Sequence, residues 1–201
     1  MKIKLNDSLS RLGDSFGMST SNTLKTFKQS VVQIEHYLKT LIYWPEKSKI
    51  KQLLPIAFRA RYNNVQSIID CLEIQVEKPS DPVKQAITWS EYKKCSTLKY
   101  LISSTFDRSI NFISKGYGGR ISDSLLIEDS GYLEIVPVGC GVMADRGFKD
   151  IAKLLHERNC KLIRSPSESS AGKSTKAEVL ETKRIVSLHI HIERLFVGFE
   201  V

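Results

Sequence analysis

The chain of 201 residues is 41% hydrophobic and 26% charged, the balance of a globular protein, so disorder is not expected and the length allows one ordinary domain, or a small module and a domain. Its formal net charge of +8 is concentrated early: residues 1–64 carry 11 Lys/Arg against 4 Asp/Glu, and the remainder 19 against 18. Cys71, Cys95, Cys140 and Cys160 form no CxxC pair, and neither a signal-peptide core nor an apolar run of about 18 residues occurs, so a zinc ribbon, a disulfide framework, secretion and a membrane span are not expected.

The basic first third points to a polyanion partner, nucleic acid before membrane, with a solvated lysine-rich surface as the plain alternative. Residues 7–40 read as helices. Leu9, Leu12 and Phe16 recur at helical spacing, and Gly17-Met18-Ser19 breaks the pattern. Leu24, Phe27, Val31, Ile34 and Leu38 then form a second stripe. Helix, short Gly-containing turn, helix is the shape of a helix-turn-helix module. Thr20, Ser21, Asn22 and Lys25 stand at the leading end of its second helix, where such modules read the major groove. A plain helical hairpin is the competing reading.

Residues 45–55 read as a connector with a short helical turn, and the module with its connector is expected to occupy residues 1–60. The period then changes. Val65–Val76, Leu98–Ser104 and Ile110–Ser114 are rich in β-branched residues and predict an antiparallel meander, ended by Gly116-Tyr117-Gly118-Gly119. Ser122 caps a helix from Asp123. Gly141–Ala144 is a short apolar strand, Asp150–Arg158 a helix and Lys161–Ile163 a last strand. After a polar loop, Thr175 and Glu178 form a capping box, and Ile185, Leu188, Ile192, Leu195 and Phe199 make a helical stripe. The order β-β-β-α-β-α-β-α fits a mixed sheet with helices on its faces. The expected fold over 61–201 is therefore α/β and ribonuclease-H-like.

Three acids stand out by position. Asp70 sits inside an apolar strand, where a charge is costly unless paired or bound to a metal. Asp145 ends the next core strand, at a carboxyl edge favoured by ligands. Glu193 lies between Ile192 and Leu195 on the last helix. In a ribonuclease-H-like arrangement these three converge and cradle two Mg²⁺ ions roughly 3.5–4 Å apart. Each acid taken alone also reads as an ordinary surface residue. SAGKST (170–175) lacks the first Gly of a P-loop, with Ser167 in its place. His189-x-His191-x-Glu193 suits zinc only on a strand, and the capping box argues for a helix.

The segments IIDCLEI (68–74), KPSDP (78–82), YKKCSTLKYLI (92–102), SKGYGGRISD (114–123), VMADRGF (142–148) and IHIER (190–194) together resemble successive blocks of the DDE superfamily endonuclease domain of Harbinger- and ISL2EU-like transposases. The resemblance runs from about residue 44 to 199. It implies metal-dependent cleavage and joining of DNA strands, with Asp70, Asp145 and Glu193 as the catalytic acids and Mg²⁺ or Mn²⁺ as the cofactor. Asp123 matches a further acidic position of the family and either approaches the metals or serves its helix. Arg120, Arg146 and Lys99 either neutralise DNA phosphates or are structural. DNA, a separate Myb-like DNA-binding protein and an oligomer are the implied partners, and the nucleus, alongside the cytoplasm, the implied location. Leu72, the loop RSPSESSAGKS and an end eight residues after Glu193 depart from the family pattern. They keep a second reading open: a transposase-derived DNA-binding or scaffold protein without catalysis.

Overall fold

Two serines start the longer helices of the amino-terminal part. In the computed structural model, which describes residues 2–54, 56–145, 147–148, 150–164, 179–180, 182–183 and 185–186, the chain divides into two units, Met1–Ile42 and Tyr43–Val201. The first holds α1 (Lys2–Leu5), α2 (Leu9–Phe16) and α3 (Thr20–Lys39). Ser8 Oγ accepts the Arg11 N–H at 3.2 Å, and Ser19 Oγ accepts the Asn22 N–H at 3.3 Å, each satisfying one of the orphan donors of a first turn. Gly17 ends α2 in the left-handed region at φ 63°, and the Met18 N–H closes the turn on Gly13 O at 2.9 Å. The break expected at residues 17–19 is thus a glycine C-cap followed by a serine N-cap.

The second unit opens with α4 (Lys47–Leu53) and α5 (Ile56–Tyr62), which lead into the long strand β1 (Val65–Gln75). There follow α6 (Pro82–Thr88), β2 (Trp89–Ser90), β3 (Cys95–Ser104), β4 (Ile110–Ile113), β5 (Tyr117–Gly118), α7 (Asp123–Asp129), α8 (Tyr132–Ile135), β6 (Gly141–Ala144), α9 (Ala152–Glu157) and β7 (Lys161–Ile163). The strands form one mixed sheet in the order β2-β3-β1-β6-β7, with β4 and β5 also on β3. β1 runs antiparallel to β3 and parallel to β6, and β7 runs parallel to β6. The expected meander appears as β1, β3 and β4.

Strand alternation sorts the core into two layers. On one face Ile69, Leu101, Val142 and Ala144 pack with Leu126, Ile127, Tyr132, Ile151 and Leu155 from α7, α8 and α9 and the segment before α9. On the other, Ile68 and Met143 pack with Leu54, Tyr62, Phe106 and Ile185. The first face hides a polar chain: the Ser67 hydroxyl lies 2.7 Å from both Ser103 Oγ and Tyr132 Oη, so the buried tyrosine has a partner at the strand surface. Cys140 and Cys160, just before β6 and just before β7, are buried free thiols with sulfurs 3.8 Å apart. Burial, then the neighbouring Cys160, push the Cys140 thiol up to about 12.

Some elements differ from the sequence expectation. α6 was not expected: Asp81 in KPSDP caps it, accepting the Val83 and Lys84 N–H groups at 2.8 and 3.0 Å, with Pro82 preset at the first helical position. The Gly116–Gly119 segment, expected to end the meander, instead lays β5 along β3. A Cβ on Gly119 would overlap Thr97 Oγ1, so only glycine lets the chain lie this close. The helix expected at Asp150–Arg158 starts at Ala152. The capping box Thr175/Glu178, the stripe beyond Ile185, His189, His191, Arg146 and Glu193 lie outside the described residues. Residues 179–180, 182–183 and 185–186 are helical. No helix among the described residues is long and apolar enough to cross a membrane.

Candidate functional site

The parallel pair of β1 and β6 carries the first two acids to one edge. Its last paired residues are Ile69 and Ala144, so the next residue on each strand is an aspartate, Asp70 and Asp145. Neighbouring strands lie about 4.8 Å apart, which sets the lateral spacing of two such positions. Alternation gives Asp70 the face of Ile68, and the same alternation carried one residue past β6 assigns Asp145 to the face of Met143; Ile68 and Met143 belong to the cluster containing Ile185. Asp70 is half-buried. It is held on its other side by β3 opposite Ile102, and its Oδ1 accepts the Cys71 N–H at 2.7 Å. Asp145 is exposed, and its carbonyl accepts the Phe148 N–H at 3.2 Å, turning the chain away from the sheet.

A second acidic group sits on the opposite face. Cys71 and Glu73 alternate with Asp70 and Leu72 along β1, and Lys99 stands opposite Glu73 on β3. Lys99 Nζ lies 2.6 Å from Asp123 Oδ1 and 3.8 Å from Glu73 Oε1. Glu73 Oε2 also accepts the Ser90 hydroxyl at 2.7 Å and the Thr97 hydroxyl at 3.2 Å. Burial pulls the Lys99 ammonium down. The Asp123 hydrogen bond and the negative charges around it outweigh that and hold it above the ordinary lysine value. The Cys71 thiol, 3.6 Å from Asp123 Oδ1, is driven far up by burial first and by Asp123 next.

Asp123 therefore meets Lys99, and Ser122 is the residue whose side chain caps α7, accepting the Leu125 N–H at 3.4 Å. Asp123 also borders the loop after Asp145: with Lys99, Ser122, Gly147 and Asp150 it lines a polar hollow. Arg120 is exposed, its N–H on Ile87 O at 3.1 Å. Thr20, Ser21, Asn22 and Lys25 all lie exposed on the first turns of α3, in the other unit. Glu73 and its hydroxyl partners were not singled out from the sequence. The signal that could have found them is a carboxylate in phase with Cys71, but its cation is 26 residues away across a helix and a short strand.

The donor set at the β1/β6 edge suits a hard divalent cation, because carboxylate oxygens are what Mg²⁺ and Mn²⁺ prefer. Among the described residues no three His, Cys, Asp or Glu side chains gather as a metal site, and the third expected acid, Glu193, is not among them. What the fold and the edge define is an α/β domain with two aspartates just past the last paired residues of two parallel strands. A family model described as DDE superfamily endonuclease matches residues 69–198, nearly two thirds of the chain. The chain belongs to this family. Neither a curated protein nor a solved structure matches it.

Proposed function

We propose that this protein is a transposase-derived DNA endonuclease whose Asp70, Asp145 and Glu193 hold two divalent cations, Mg²⁺ or Mn²⁺. The observation that carries the reading is the succession of Ile69 and Ala144, paired across β1 and β6, by Asp70 and Asp145. The strand order β4-β3-β1-β6-β7, antiparallel in its first half and parallel in its second, supports a ribonuclease-H-like reading of the sheet. Ile185 packs on the face that carries both aspartates, and Glu193 follows it by eight residues.

Bound at this edge, the cations would activate the attacking water or 3′-hydroxyl and stabilise the leaving oxygen of the phosphodiester. The chain's own residues do the positioning. β3 and the Cys71 N–H fix the Asp70 carboxylate against rotation, and the turn closed by Phe148 aims Asp145 from the strand end. Of the two roles open to Asp123, this reading takes the structural one, as the anion that holds Lys99. Thr20, Ser21, Asn22 and Lys25 of the amino-terminal unit are proposed to contact DNA as part of a helix-turn-helix, supported by their exposure and the basic charge of residues 1–64. Membership of the Harbinger-like subfamily, a Myb-like partner and a nuclear location follow from the same reading.

The test is nicking of supercoiled DNA with Mg²⁺ or Mn²⁺. Wild type should nick only with the metal, and Asp145→Asn should lower the rate by about a thousand-fold, the loss of roughly 4 kcal/mol of charge stabilisation. Folded wild type that does not nick, or nicking that survives Asp145→Asn, contradicts the assignment.

A further inference from the structure

The apolar residues of α3 keep a stricter rhythm than a core-facing stripe needs. Leu24, Phe27, Val31, Ile34 and Leu38, continued by Leu41 in the turn after the helix, are spaced 3, 4, 3, 4 and 3 residues apart. That 3.5-residue repeat is the seam by which one helix winds on another. α2 covers only its flank. Thr23 is the buried residue of α3 and Phe27 is half-buried, while Ile34 and Leu38 remain 47% and 52% exposed and Leu41 66%.

We propose that the seam is filled by α3 of a second copy of this chain, packed antiparallel about a two-fold axis. In an antiparallel pair each first-position residue of one heptad meets a fourth-position residue of the other. One alignment then pairs Leu24 with Leu41, Phe27 with Leu38 and Val31 with Ile34, and each pair recurs by symmetry. All six seam residues find partners at once, as a self-complementary interface demands.

The flanking charges choose the same arrangement. Lys28 and Glu35 are both exposed and both follow a fourth-position residue, Phe27 and Ile34. Antiparallel packing brings these flanks together, so Lys28 of each copy faces Glu35 of the other, twice per dimer. A parallel pair would instead set Lys28 and Glu35 against the opposite flank, where Thr23, Ser30 and Tyr37 carry no charge. Within one chain Glu35 already reaches Lys39 at 2.8 Å, both side chains more than half exposed, so that exposed pair yields readily to the new one.

The test is the mass of the full chain by light scattering without DNA or metal, so that its outcome is separate from that of the nuclease reading. The protein should be a dimer at about 100 µM, where an association of micromolar Kd is mostly assembled. Ile34→Glu, at an exposed position, should give a folded monomer by circular dichroism. Lys28→Glu and Glu35→Lys should each weaken the dimer by about tenfold, and the double reversal should restore it. A wild-type monomer at that concentration, a dimer that survives Ile34→Glu, or a double reversal that fails to rescue overturns the proposal.

Discussion

Asp70 and Asp145 directly follow Ile69 and Ala144, the last residues paired across the parallel strands β1 and β6. One parallel register therefore delivers two carboxylates, 75 positions apart in the chain, to the same edge of the sheet. On the other face, Lys99 is held between Glu73 and Asp123. The two acidic groups differ in make-up: the first holds two aspartates that follow paired strand residues, and the second a glutamate and an aspartate bridged by Lys99.

That difference has a cost attached to Lys99. Lys99→Met would leave Glu73 and Asp123, on either side of the mostly buried ammonium, without their cation. Removing one partner of a buried pair costs about 3 kcal/mol, and urea unfolding at neutral pH should show a loss of that size. Because the folded value of Lys99 is raised, its contribution is complete below the ordinary lysine value of about 10.4 and fades as pH rises through the folded value. The gap between wild type and variant should be flat from neutral pH to about pH 9 and shrink above pH 10.

The turn joining β3 to β4 should respond to acid instead. Asp107 there accepts the Thr105 and Ser109 hydroxyls, the latter at 2.8 Å. Partial burial raises its carboxyl, but the hydrogen bonds outweigh this and hold it below the ordinary aspartate value. Its contribution is present above about pH 4 and is lost as pH falls through the folded value. Asp107→Asn should cost about 1 kcal/mol at neutral pH, with the difference disappearing in acid unfolding series below pH 4.

Tyr132 should matter through its hydroxyl as well as its ring. Its Oη meets Ser67 in a fully buried setting, and Ser67 in turn meets Ser103. Tyr132→Phe keeps the ring packed on Phe112 but leaves the serine pair one partner short. A loss of about 1–2 kcal/mol in denaturant unfolding is expected, with DNA nicking unchanged.

The sequence was most legible where local chemistry decides structure. Gly141–Ala144 and Lys161–Ile163 are the strands their apolar runs predicted, Ser122 caps α7, and Gly17 with Ser19 breaks α2 from α3. It was less legible where a long-range contact decides. β5 exists because Gly119 lets the chain lie against Thr97 of β3 and Gly118 lets it pass Ile87 of α6, and a glycine cluster alone reads equally well as a turn. α6 was not read from the sequence, although Asp81 and Pro82 cap and preset a helix. Asp70 and Asp145 stood out in the sequence by their places inside one apolar strand and at the end of another. Glu73 and the destination of Asp123 did not, since both depend on the β1/β3 register that opposes Glu73 to Lys99.

In the proposed function the β1/β6 edge, not the Lys99 cluster, takes the metal. Mn²⁺ uptake followed by the loss of the free-ion paramagnetic signal tests it most directly, on wild type, Asp145→Asn and Asp123→Asn. Asp145→Asn should weaken uptake by at least about tenfold, some 1.4 kcal/mol, while Asp123→Asn should leave it close to wild type. Uptake that survives Asp145→Asn but is lost with Asp123→Asn would contradict this assignment and put the metal on the opposite face of the sheet.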